Sequence, residues 1–275
     1  MDSNKTIGVF DSGLGGLSVL QELWNLMPNE HYCYIGDNAR SPYGPRSAET
    51  VARFTLEAAD FLIRNGAKVI VIACNTATVA GLETARKAYP ETPIIGVVDP
   101  GCLAAAEATR NGKIVLVATK GTVSSGAHAA RLQELRPGCK VIGVPAPLFV
   151  QMIEEGWLDG DAVDAAARRY LSEYFTESGD QKPDCLILGC THFPLIRESI
   201  GKAVGDDIAL VDPASITAAQ VQKILRDKGQ LRETSAPGTT RFFVTSDPER
   251  FAAVGSLCLQ TTISPKAVTV TTLGG

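Results

Sequence analysis

The sequence predicts an α/β chain folded as two similar domains, each built on a parallel sheet, and three observations carry that reading. Short β-branched apolar runs alternate with segments of helical periodicity, the pattern of repeated βαβ units. The chain has 275 residues, a length at which one core tends to split in two, because single cores stop growing at about 250–300 residues. One local arrangement, a strand closing on a cysteine followed by small polar residues, also occurs once in each half.

The apolar runs fall at 6–11, 31–36, 68–73, 93–98, 113–118, 140–144, 184–189, 207–211 and 241–245. Between the first two, Leu17, Leu20, Trp24 and Met27 recur at three- and four-residue intervals and Pro28 stops them, which predicts an amphipathic helix. Between the second and third, Val51, Phe54, Thr55, Ala58, Phe61 and Leu62 repeat in the same way. Ser47 is the natural N-cap of that helix and Asn65-Gly66 its end. Val79, Leu82, Ala85 and Arg86, followed by Tyr89-Pro90, mark a third.

Composition excludes several classes. Hydrophobic residues make up 45% of the chain and charged residues 20%, enough for a sizeable core. The net charge is −4 and no run of like charges forms a nucleic-acid arm, so no nucleic-acid partner is expected. No segment approaches the 18 or so apolar residues of a membrane span, and the first residues lack the apolar run of a signal peptide, which predicts a cytoplasmic protein without membrane attachment. Seven cysteines, an odd number in a chain of ordinary size, predict reduced thiols. No C-x-x-C pair occurs, and Cys185, Cys190 and His192 run along a strand that would point them apart, so no metal site is expected.

The internal repeat carries the chemistry. One strand ends at Asp11-Ser12-Gly13 and another, 63 residues after Asp11, at Cys74-Asn75-Thr76. In the second half a strand ends at Thr119-Lys120-Gly121-Thr122 and another, 71 residues after Thr119, at Cys190-Thr191-His192. Open α/β sheets place ligands at the carboxyl ends of their strands, and two such halves facing each other would set Cys74 and Cys190 on opposite walls of one cleft. Cys33, Cys102, Cys139, Cys185 and Cys258 read instead as small buried hydrophobes. Gly13-Leu14-Gly15-Gly16 fits neither nucleotide-loop spacing and reads as backbone N–H groups at a helix start, suited to a carboxylate. Asp11 has two readings, a cap for that helix or a partner for a substrate ammonium or a thiol. Ser41-Pro42-Tyr43-Gly44 is a turn signal. His31 and His128 read as surface residues, Glu154-Glu155-Gly156 as a solvated helix end, and Trp24 and Trp157 as packing residues.

On these motifs the chain resembles the glutamate racemases of the aspartate/glutamate racemase superfamily over nearly its whole length. Asp11-Ser12-Gly13-Leu14-Gly15-Gly16, Pro42-Tyr43-Gly44, Cys74-Asn75-Thr76-Ala77, Ala118-Thr119-Lys120-Gly121-Thr122 and Gly189-Cys190-Thr191-His192-Phe193-Pro194-Leu195 stand in the family's order. Aspartate racemases share the paired cysteines but carry glutamate after the second Cys-Thr, where this chain has His192. The resemblance implies two doubly wound α/β domains related by a pseudo-twofold axis, 1–98 with 212–275 and 99–211, with the active site in the cleft between them. It also implies a homodimer that needs no cofactor and supplies D-glutamate for peptidoglycan.

Racemisation removes a proton from one face of a carbon and returns one to the other, so it needs an acid and a base on opposite sides. Two thiols, which titrate at about 8.5, can exchange those roles near neutrality. By resemblance Cys74 acts on D-glutamate and Cys190 on L-glutamate, supported by Asp11 and His192. Ser12, Asn75, Thr76, Thr119, Thr122 and Thr191 would then bind the substrate, and Pro42, Tyr43 and Gly44 would hold its side-chain carboxylate. The alternatives are an aspartate racemase, a Cys-His hydrolase that would leave one cysteine motif idle, and a ligand-binding or gyrase-inhibiting protein of the same fold.

Overall fold

The computed structural model describes residues 5–177 and 179–274. They form two compact units: one runs to Val97 and resumes at Ala214, and the other is the uninterrupted stretch Val98–Pro213. In chain order the strands are β1 (Thr6–Asp11), β2 (His31–Gly36), β3 (Ala67–Ile72), β4 (Ile94–Gly96), β5 (Lys113–Ala118), β6 (Lys140–Pro145), β7 (Cys185–Gly189), β8 (Ala209–Val211), β9 (Thr240–Val244) and β10 (Val268–Val270). The helices are α1 (Leu17–Leu26), α2 (Ala48–Arg64), α3 (Asn75–Ala88), α4 (Val98–Ala108), α5 (Lys120–Ser124), α6 (Ala127–Leu135), α7 (Pro147–Glu154), α8 (Asp161–Leu171), α9 (Arg197–Val204), α10 (Pro213–Asp227) and α11 (Pro248–Leu259).

The first unit carries a six-stranded parallel sheet in the order β10-β9-β2-β1-β3-β4. Every residue of β1 and β3 is buried, as expected for strands covered by helices on both faces. α2 buries the residues whose spacing predicts it, Val51, Phe54, Thr55, Ala58, Phe61 and Leu62. Ser47 Oγ accepts the Thr50 N–H at 3.2 Å, and Gly66 takes the left-handed φ of +83° beyond the C-cap Asn65. The return of the chain completes the sheet. β9 pairs with the free edge of β2, and Phe242 and Phe251 pack against Tyr34 with ring centroids 6.3 and 5.6 Å away.

The second unit has a four-stranded parallel sheet, β6-β5-β7-β8. Val115, Val117, Leu186 and Leu188 from its central strands meet Phe149 of α7 and Phe193 in one core. No helix among the described residues is long and apolar enough to cross a membrane.

Two expectations are corrected, and one strand lies outside them. His128 is 1% exposed, because α6 packs on α4 through its first turn, where the Cys102 thiol donates to the His128 carbonyl at 3.7 Å. Trp157, past the end of α7, is 54% exposed and packs little. Strand β10 was not anticipated, since three residues show too little alternation to stand out.

Candidate active site

In a parallel sheet adjacent strands end on the same side, so register decides which strand-end residues are neighbours. Phe10 of β1 pairs with Ile72 of β3, and the Ala73 N–H donates to the Phe10 carbonyl at 2.8 Å. Asp11 and Cys74 therefore lie one register position apart at the carboxyl edge of the first sheet.

Asp11 is fully buried, and its Oδ2 accepts the Gly13 N–H at 2.9 Å. α1 begins at Leu17 behind Gly16, a residue with no side chain to cap it. Gly16 lets α1 approach this carboxylate, since a Cβ there would sit 2.6 Å from that of Asp11. Ser12 is buried beside it.

Cys74 is the N-cap of α3, and its Sγ accepts the Ala77 N–H at 3.4 Å. The sulfur occupies a place usually held by a Ser, Thr, Asp or Asn oxygen. Negative charge on it would face a backbone donor and the positive end of a 14-residue helix. Asn75 is 3% exposed, yet neither its amide nitrogen nor its amide oxygen has a partner among the described residues. A buried amide left so keeps its full capacity to donate and to accept. Thr76 is buried next to it.

The Pro42-Tyr43-Gly44 loop adjoins this edge, because the buried Tyr43 ring shares an apolar cluster with Cys74 and stacks at 5.5 Å on Phe54. Its hydroxyl donates to Asp37 Oδ2. Burial, and then the Asp37 carboxylate, push the Tyr43 phenol far above its ordinary range, so it remains a donor.

The second unit repeats the device. Ala118 pairs with Gly189, so Thr119 and Cys190 are strand-end neighbours. Thr119 is the N-cap of α5, and its Oγ1 accepts the Thr122 N–H at 3.3 Å. Cys190 and Thr191 are buried, and His192 Nδ1 lies 3.6 Å from Cys190 Sγ, within hydrogen-bonding reach of sulfur. His192 Nε2 is 3.4 Å from Glu154 Oε1. Glu154, His192 and Cys190 thus stand in a row, with the carboxylate on the far side of the ring from the sulfur.

Each unit thus gathers its own share of the expected residues: Asp11, Ser12, Tyr43, Cys74, Asn75 and Thr76 in one, Thr119, Thr122, Cys190, Thr191 and His192 in the other. Two residues that touch this set went unrecognised in the sequence. Glu154 reads as a solvated helix end, and only the fold turns it toward His192. Asp37 stands directly after β2, the strand-end position that singled out Asp11, so a signal existed. The remaining thiols behave as packing groups, with burial pushing Cys33 to about 11 and Cys102, Cys185 and Cys258 to about 12. Among the described residues no cluster of three or more His, Cys, Asp or Glu side chains could hold a metal ion.

Comparison with known proteins gives the family and the fold. The chain is 43% identical over 252 residues to a glutamate racemase of Geobacter metallireducens, covering 92% of each. The crystal structure of a Francisella tularensis glutamate racemase in complex with D-glutamate superposes with a TM-score of 0.89 at 36% identity over 98% of both chains. A Bacillus anthracis glutamate racemase isoform superposes with a TM-score of 0.91 at 37% identity, again over 98% of both. A sequence model of the Asp/Glu/hydantoin racemase family matches residues 7–221, and the chain belongs to that family.

Proposed function

We propose that this protein interconverts L- and D-glutamate, with Cys74 and Cys190 exchanging the roles of acid and base. The observation that carries the reading is the twin arrangement of the thiols. Each stands just past an interior strand of its own sheet, Cys74 two residues beyond β3 and Cys190 one beyond β7, and each has a hydrogen-bonding partner at its sulfur, the Ala77 N–H for Cys74 and the His192 ring for Cys190. Relatives of 37–43% identity over most of the chain are glutamate racemases, and His192 stands where aspartate racemases carry glutamate.

In the proposed reaction one sulfur, as thiolate, takes the α-proton while the other, as thiol, gives a proton to the opposite face. Cys74 takes the proton of D-glutamate and Cys190 that of L-glutamate. Asp11 and His192 steady the respective protonation states. The charge that develops at the α-carbon and its carboxylate is met by fixed donors, Ser12, Asn75, Thr76, Thr119, Thr122 and Thr191, whose preorganisation costs nothing at the moment of reaction. Backbone N–H groups of Tyr43 and Gly44 hold the side-chain carboxylate. The chemistry asks for no cofactor. The same reading makes the protein a cytoplasmic homodimer that supplies D-glutamate for the bacterial wall, a part supported by the family resemblance.

The test is direct. Exhaustively dialysed protein, given L- or D-glutamate and followed by polarimetry or chiral chromatography, should carry either enantiomer to an equal mixture. Activity confined to aspartate, or activity that returns only with pyridoxal phosphate or metal, would overturn the proposal.

A further inference from the structure

Arg40 belongs to none of the motifs, yet the first unit spends an ion network on it. It ends a single 3-10 turn, Asn38–Arg40, directly before the loop of Pro42, Tyr43 and Gly44. Its guanidinium spans carboxylates from two elements: Nε lies 2.6 Å from Asp37 Oδ2 and Nη1 lies 2.5 Å from Glu57 Oε2 of α2. It also lies flat on α2, 3.9 Å from the centroid of the Phe54 ring. The Arg40 carbonyl accepts Arg46 Nε at 2.9 Å, tying the far end of the loop to its start.

Asp37 is fully buried and receives, besides Arg40, the Tyr43 hydroxyl and the Thr245 hydroxyl, the latter at 2.9 Å. Tyr43 in turn packs on Phe54 and shares a cluster with Cys74. The loop is therefore placed by side chains anchored to α2 and to the end of β2, and Arg40 is the charged group that joins both anchors.

We infer that Arg40 is a positioning residue that sets the reach between the carboxylate-binding loop and the catalytic edge, and with it the preference for a dicarboxylate with two side-chain methylenes. The inference rests on the function proposed above. Glutamate and aspartate differ by one methylene, a difference that a pocket discriminates by roughly 10–200-fold when its walls are fixed. A loop free to drift by about an ångström loses that fixity. Arg is suited to the task because its planar fork holds two carboxylates in a fixed geometry while stacking on a ring, whereas a lysine ammonium acts as a point charge without that planarity.

The experiment compares wild type, Arg40→Met, Arg40→Lys and Glu57→Gln. For each, kcat and KM for D-glutamate, the inhibition constant of D-aspartate as competing ligand, and the thermal midpoint are measured. For Arg40→Met we expect KM to rise about tenfold with kcat within about twofold, and the ratio of aspartate Ki to glutamate KM to fall about tenfold, because the loop and not the thiols is disturbed. Arg40→Lys should lie between, and Glu57→Gln should move the same quantities less. A folded Arg40 variant with unchanged KM and ratio, or a loss confined to kcat, overturns the inference. If Arg40→Met does not fold, Glu57→Gln, at the partly exposed end of the network, decides by the same criteria. A wild-type chain inert toward glutamate is a separate result on the unaltered protein and overturns the functional reading itself.

Discussion

Cys74 has one job in the fold and a second in the proposed reaction, and substitution can separate them. As N-cap of α3 it accepts a backbone N–H, a task serine performs at least as well. As an acid/base group it needs a thiol, since a serine hydroxyl is far too weak an acid near neutrality. Cys74→Ser should therefore keep its thermal midpoint within a few degrees of wild type while racemisation falls on the order of 10³-fold or more. Cys190→Ser should lose activity to a similar extent. With a glutamate analogue bearing a β-leaving group, Cys190→Ser should retain elimination from the D form and Cys74→Ser from the L form. The same residual preference in both variants would refute the assignment of faces. At this scale the sequence was most informative about residues in local motifs, because a strand end followed by small polar residues is a short-range pattern. Glu154 escaped it, since its meeting with His192 spans 38 positions and depends on how α7 folds back on β7.

At the scale of elements, α6 carries an unusual burden. His128 lies in its first turn with both ring nitrogens buried and without partners among the described residues. Burial pushes the imidazole down to about 4. In the unfolded chain the ring takes its proton near pH 6.5, whereas in the fold it resists until about pH 4, so unfolding takes up a proton in that window. The contribution to stability is thus complete above about pH 6.5 and declines as pH falls, by about 2 kcal/mol at pH 5. His128→Leu should narrow the gap between denaturant midpoints measured at pH 7.5 and pH 5, and an unchanged gap would show that the ring is already satisfied or solvated. Sequence periodicity located α1 and α2 by the faces they bury, and it located α3, although of Val79, Leu82, Ala85 and Arg86 only Ala85 is buried there. It misplaced His128 because α6 is short and is held by another helix, α4, whose approach no local pattern announces.

For the whole molecule, the decisive fact is that one unit is made from two distant stretches of chain. The second unit, Val98–Pro213, is continuous and has its own sheet and core. Truncation after Asp227 should leave it able to unfold cooperatively, as followed by its own amide exchange. The same cut removes β9, β10 and α11, stripping Phe242 and Phe251 from Tyr34, so the first unit should lose protection of β1 and β2. Equal protection in both units after truncation would contradict this division. The alternation of runs made the strands legible but not their order, because the pairing of β2 with β9 joins residues about two hundred positions apart. That pairing also has a consequence in time. A ribosome adding about 5–20 residues per second would present β2 some 10–40 s before its neighbour exists. Throughout that interval the apolar edge His31–Gly36 is an open template in a crowded cell. The nascent chain is therefore most in need of shielding while its second unit is already free to fold.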